Sequence, residues 1–328
     1  MFAFDVFTHV YPRPYLEALP DAARDRNLEA YLGRVPAFTD PVSRIQVMDR
    51  HGIRVQVLTL GYPPALETLD DGAAIRVARI ANDGIADIVR AFPDRFIGAA
   101  TLPLNTPDEA LMELQRCRRD LGLNAIQMFT NVNGRPLDWE GLMPIYAVAA
   151  SERIPILLHP INARVSYDWI GEYKLDRLFG WPFETALALS RLAFGGVLRW
   201  FPELKIVAHH AGSMISFYRD RIFSYAHPDS SALDLAQKNQ ASEAALAEFG
   251  KFYVDTVQAW KPALQCALTF FGAGHLVFGS DFPWGPEGGE RYIQNSLAAV
   301  EALDVTLEER QRILADNARA LFGVASPC

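Results

Sequence analysis

The 328-residue chain is 50% hydrophobic and 21% charged, with a net charge of −8 and no Lys- or Arg-rich run. That is the composition of a soluble globular protein, and its acidic balance argues against nucleic acid as a partner. No uncharged apolar run reaches the ~18 residues of a membrane span, and MFAFDVFTHV meets Asp5 without a basic segment, so neither a membrane helix nor a secretory signal is expected.

Apolar runs of strand length recur along the chain. The first, AFDVFTH (3–9), ends on His9. A His-x-His pair would offer two ligands on one strand face, because residues two apart share a face; here the pair is Phe7 and His9. Residues 11–50, rich in Pro, Tyr, Leu and Arg, precede RVQVLTL (54–60). Ile85, Ile88, Val89 and Phe92 then keep the spacing of one helix face, and RFIGAATLPL (95–104) follows. Thr106-Pro107-Asp108-Glu109 predicts a capping-box helix start with proline at the first position. NAIQMFT (124–130) and IPILLH (154–159) come next, the second ending on His159, before another long connection that begins PINARVSYDWIGEYKLDRLFGWPF. KIVAHH (205–210) ends on the pair His209–His210, KFYVDTV (251–257) follows, and HLVFGSD (275–281) ends on Asp281. Thr306 and Glu309 predict a last capping box.

Eight strands separated by helices predict an α/β protein, a (β/α)8 TIM barrel occupying 1–328 as one domain. No Gly-x-Gly-x-x-Gly follows a strand, which disfavours the doubly wound alternative. Lid insertions near 11–50 and 160–180 would sit at the C-terminal mouth. His9, His159, the pair His209–His210 and Asp281 all lie at C-terminal strand ends and should converge there. Alone, a strand-end histidine is more often a satisfied polar residue, and the Asp of GSDFP serves a turn. Together, neutral imidazoles and a carboxylate suit one divalent ion, most simply Zn2+, with Mn2+ or Fe2+ as alternatives. Neighbours on a strand face opposite ways, so only one of His209 and His210 points inward, and the pattern leaves open which. Arg164 is a candidate partner for a substrate carboxylate. Tyr11, Tyr15, Trp169, Tyr173, Trp181, Phe282 and Trp284 are candidate walls for a flat ligand. Cys117, Cys266 and Cys328 are scattered and odd in number, which suggests reduced thiols and a cytoplasmic protein.

FDVFTHVYP, IPILLHP, GWPFETALALSRLAFGGVLRWFPELKIVAHHAG, FYVDT, LVFGSDFPWG and DNARALFG carry a family resemblance. In them the chain resembles the amidohydrolase superfamily, in the branch holding α-amino-β-carboxymuconate-ε-semialdehyde decarboxylase and γ-resorcylate decarboxylase. The resemblance spans nearly the whole chain and is most specific from Gly180 to Gly212. It implies a distorted barrel with one divalent metal at its mouth, held by His9, His159 and Asp281. It implies His210 as the histidine beside the metal, since Ala211-Gly212-Ser213 fits the family's glycine-rich turn, and catalytic roles for His210 and Asp281. It implies a homodimer in which Arg221 reaches a substrate carboxylate across the interface. Phe7 departs from the pattern: the muconate enzyme has a metal-binding His there and the resorcylate enzyme a Glu. Three protein ligands still suffice for a catalytic zinc. The expected activity is metal-dependent, non-oxidative decarboxylation of an aromatic or unsaturated carboxylic acid. The alternatives are a hydrolase or hydratase of a lactone, amide or double bond, and a degenerate non-catalytic subunit.

Overall fold

The computed structural model describes residues 2–62, 66–162, 167–226, 231 and 233–324. Among them, seven parallel strands form one sheet in chain order: β1 (Ala3–Val10), β2 (Ile53–Leu60), β3 (Phe96–Thr101), β4 (Ala125–Phe129), β5 (Ile156–His159), β6 (Ile206–Ala208) and β7 (Tyr253–Val254). Parallel neighbours need crossovers. Helices Pro41–Arg50, Asp71–Ala91, Pro107–Arg116, Met143–Ser151, Trp181–Phe194 and Leu235–Phe249 supply them. Local sequence starts several helices as expected. Asp40 accepts from the Val42 and Ser43 N–H groups, and Thr306 and Glu309 cap each other reciprocally. The box expected at Thr106 does not form; its hydroxyl donates to Pro103 O at 3.0 Å instead.

The eighth expected strand, 275–281, makes no ladder of its own among the described residues. It is an extended segment joined to both edges of the sheet. Val277 N donates to Val254 O at 2.9 Å, while Val6 N donates to Phe278 O at 2.9 Å, Asp281 N to Phe7 O at 3.0 Å and His9 N to Phe282 O at 2.8 Å. The sheet therefore curls until β7 and β1 share one segment, which is consistent with a TIM barrel. β6 and β7 are shorter than the runs that predicted them. After Ala208 the chain turns sharply, with φ of 57° at His210 and 55° at Ala211. Gly212 completes the turn at φ +68°, where a Cβ would stand 2.7 Å from Val254 Cγ1, so only glycine fits without strain.

Alternation along the strands separates two cores. Val57, Ala99, Ala125, Leu157, Val207 and Val277 pack with Phe4 and Phe7 inside the curled sheet. Their neighbours Leu58, Ala100, Ile126, Leu158 and Ala208 pack outward with the helices. Extending that two-residue period to the strand ends puts His159 on the side of Leu157 and His209 on the side of Val207. Cys117 and Cys266 are free thiols, and Cys328 lies outside the described residues. No helix among the described residues is long and apolar enough to cross a membrane.

Candidate active site

His9, His159, His209 and Asp281 meet at the C-terminal end of the sheet, each offering a donor atom within 4.8 Å of the others. The histidines are buried, whereas the Asp281 side chain keeps 17% of its surface open. His9, His159 and Asp281 are thus together, but the β6 histidine in the cluster is His209, where the resemblance had pointed to His210. The cause is the parity with Val207 described above. His210 follows the turn out of the sheet, and its ring lies 3.9 Å from that of His209 and 6.3 Å from Trp181.

The second nitrogen of each imidazole fixes its tautomer. His9 Nδ1 is 3.0 Å from Thr59 Oγ1, a hydroxyl whose hydrogen goes to Thr8 O at 2.8 Å, so the imidazole donates. His159 Nδ1 donates to Pro160 O at 2.6 Å, and His209 Nδ1 donates to the Asp255 carboxylate. Three acceptors therefore hold three Nδ1–H groups and leave the Nε2 atoms to the cluster. His9 Nε2 lies 3.0 Å and His209 Nε2 3.6 Å from Asp281 Oδ1, and His209 Nε2 has no hydrogen-bond partner among the described residues. Lone pairs brought this close repel unless positive charge lies among them. Three imidazole nitrogens and a carboxylate oxygen around one point are a donor set that fits a divalent ion.

A proton answers the same need at His209. Burial pushes that imidazole down, but Asp255 and then Asp281 outweigh burial and raise it to about 9. His159 is pushed well below its ordinary value by burial and then by His209 and His9. Burial, then His209, takes His210 down to about 3. Burial alone would raise Asp281, yet the His209 and His9 imidazoles beside it hold it well below the usual carboxylate range. Asp281 is therefore an anion at neutral pH, and His159 and His210 are neutral.

Three supporting residues were not anticipated in these roles. Asp255 follows β7, is fully buried, and accepts the Ala211 and Val257 N–H groups at 2.9 and 3.1 Å while holding His209. It lies in FYVDT, on the parity of Tyr253, a position that does not by itself mark it as the partner of His209. Arg44, fully buried, donates to Ala37 O at 3.2 Å, to Gln56 Oε1 at 3.0 Å and to the His9 carbonyl, with its guanidinium 5.0 Å from the Phe282 ring centroid. Asp5 accepts from Ser280 N at 3.0 Å, Ser280 Oγ at 2.5 Å and Gln56 Nε2 at 3.3 Å. Burial raises its carboxyl to about 7 against the pull of Ser280. Asp5 and Arg44 thus tie β1 to the 276–282 segment beside His9 and Asp281. Within the 11–50 connection, Tyr11, Tyr15, Leu28, Leu32 and Phe38 are buried in one packing cluster.

Phe7 lies flat against His209, with ring centroids 4.0 Å apart and planes 17° from parallel. Around His159 stand Trp181, Phe129 and Tyr62, with ring centroids at 5.8, 5.8 and 5.9 Å. Phe129 pairs with His159 in register at the end of β4, a position legible from the strand pattern. Tyr62, two residues past β2, had no comparable signal. Of the expected aromatic walls, Trp181 takes that place, while Tyr11, Tyr15 and Phe282 are buried in packing clusters. Trp169 is 51% exposed and stacks on Tyr167 at 4.8 Å. Arg221 is exposed, its guanidinium 4.8 Å from the Tyr225 ring centroid. Arg164 lies outside the described residues.

The amidohydrolase family model matches residues 4–324, and the chain belongs to that family. It is 32% identical over 291 residues to 2-amino-3-carboxymuconate-6-semialdehyde decarboxylase of Dictyostelium discoideum, covering 87% of this chain and 77% of that one. It is 29% identical over 299 residues to γ-resorcylate decarboxylase of Rhizobium radiobacter, covering 85% and 86%. The structure of 5-carboxyvanillate decarboxylase of Novosphingobium aromaticivorans, with bound manganese and 3-methoxy-4-hydroxy-5-nitrobenzoic acid, matches with a TM-score of 0.82 at 25% identity over 98% of this chain and 97% of that one. The resemblance read from the motifs is borne out at this level: the chain is an enzyme, and these relatives are carboxy-lyases.

Proposed function

We propose that the chain is a metal-dependent, non-oxidative decarboxylase of hydroxylated aromatic or unsaturated carboxylic acids. The observation that carries this reading is the meeting of His9, His159 and Asp281 beneath an aromatic wall at the end of a parallel sheet. Those three residues would hold the ion, with Mn2+, Zn2+ and Fe2+ all suited to the donors. When bound, it supplies positive charge that neutralises a substrate oxygen. We read the architecture as a distorted (β/α)8 barrel, one domain over 1–328, in a cytoplasmic protein.

The protein's own residues account for the remaining chemistry. For a hydroxybenzoate, the ring lies among Trp181, Tyr62 and Phe129, which keep water from the reacting carbon. Asp281, the one partly open group of the cluster and an anion at rest, accepts the phenolic proton. It delivers that proton to the carbon bearing the carboxylate. The bond to the carboxylate breaks, its electron pair returns to the ring, CO2 departs, and the phenolate product takes a proton from water. His210, neutral and beside Trp181, binds a substrate oxygen. Arg221 of a second copy, in a homodimer, clamps the carboxylate with its planar fork.

The test is CO2 release by Mn2+- or Zn2+-loaded protein from 2,6-dihydroxybenzoate, 5-carboxyvanillate and a carboxymuconate semialdehyde. Asp281→Asn should lower kcat by roughly 10²–10⁴-fold. Ring opening of lactones without CO2 from any of the three acids would transfer the site to the hydrolase alternative.

A further inference from the structure

Phe7 raises a question that the three-ligand site leaves open, because it removes a first-strand donor without leaving a gap. Its ring fills the space against His209, centroid to centroid at 4.0 Å with the two planes nearly parallel. That stack fixes the plane of the His209 imidazole. Asp255 fixes its rotation within the plane by taking the Nδ1–H, and is itself pinned by the Ala211 and Val257 amides. A histidine held by a carboxylate on one nitrogen presents the other as a metal ligand of raised basicity. That other nitrogen, Nε2, is buried without a hydrogen-bond partner among the described residues.

Distances agree. Donors about 2.0–2.1 Å from an ion stand about 3.4 Å apart in a tetrahedral set. His9 Nε2 and His209 Nε2 stand 3.0 and 3.6 Å from Asp281 Oδ1, on either side of that spacing. All four donors fall within 4.8 Å of one another, so small side-chain adjustments suffice.

We propose that His209 is itself a metal ligand, replacing the first-strand donor that Phe7 cannot supply, so that His9, His159, His209 and Asp281 form one four-ligand set. Phe7 is then a positioning residue: its ring is the backing against which His209 is held at ligating height. The inference rests on the metal-binding reading above and adds a ligand to it.

Cobalt decides the matter without reference to activity. In Co2+-loaded protein, each coordinated imidazole gives one exchangeable, strongly shifted N–H proton resonance. The expected count is three in the wild type and two in His209→Asn. The same variant should weaken Co2+ binding at least 10-fold in chelator competition. The double variant Phe7→His with His209→Asn should regain the third resonance and most of the affinity, because it moves the ligand back to the first strand. Two resonances in the wild type, with unchanged affinity in His209→Asn, would overturn His209 ligation while leaving the three-ligand site intact. Wild-type protein that binds no Co2+ and shows no shifted resonance would overturn both. The wild-type count stands on its own should a variant fold poorly.

Discussion

Glu67 shows how much one side chain can cost a fold. It is buried, its Oε2 has no hydrogen-bond partner among the described residues, and burial pushes its carboxyl from 4.5 up to about 7. The native state therefore keeps a proton that the unfolded chain has released between those values. Stability from this group is full below pH 4.5 and is lost as pH rises through about 7. The loss approaches roughly 3 kcal/mol. Glu67→Gln, which cannot ionise, should gain stability relative to wild type between pH 5 and pH 8, read from urea midpoints. A difference that stays constant with pH would contradict the assignment. Asp255 is the converse case, a buried carboxylate with every oxygen employed. Asp255→Asn should weaken metal binding about 10–100-fold, measured by Mn2+ titration followed by electron paramagnetic resonance.

At the scale of elements, the short strands β6 and β7 matter most, because the chain must leave the sheet there at a fixed angle. Gly212 sits at that exit with φ +68°, hemmed by Val254 and Phe271. Gly212→Ala should cost roughly 2–4 kcal/mol through backbone strain and overpacking, seen as a lower thermal midpoint. It should also reduce metal affinity, since the turn carries Ala211, whose amide holds Asp255. The strand ends were legible because apolar runs stop where the chain leaves the sheet. The lengths of β6 and β7 were not, since KIVAHH and KFYVDTV read as continuous extended segments while the turn after Ala208 is imposed by contacts with other elements.

For the whole molecule, the position of Arg221 on an exposed helical surface ties the proposed clamp to assembly. Sedimentation at micromolar concentration should give twice the chain mass. Arg221→Ala should raise KM for a carboxylate substrate by about 10-fold or more, in keeping with loss of a charged, hydrogen-bonded partner, while kcat changes less. A monomer with full activity would remove Arg221 from the site. The curled sheet also explains the burial of the three histidines: the inner core of Val57, Ala99, Ala125, Leu157, Val207 and Val277 packs inside it, and among the four residues of the cluster Asp281 keeps an open side-chain surface.

The sequence by itself determined the alternation of seven strands with helices, the parallel arrangement that follows, and the placing of His9, His159 and Asp281 at the ends of apolar runs. These are local: hydrophobic period and run length follow from the geometry of one strand or helix. Only the tertiary structure decided which of His209 and His210 faces inward, because Val207 and Ala208 are both apolar and the phase of a strand is set by what packs on each side. The same holds for Asp255, Arg44 and Tyr62, whose roles arise from contacts between segments distant in the chain. A carboxylate, a guanidinium or a phenol carries no sign in its own neighbourhood of the partner that folding will bring to it.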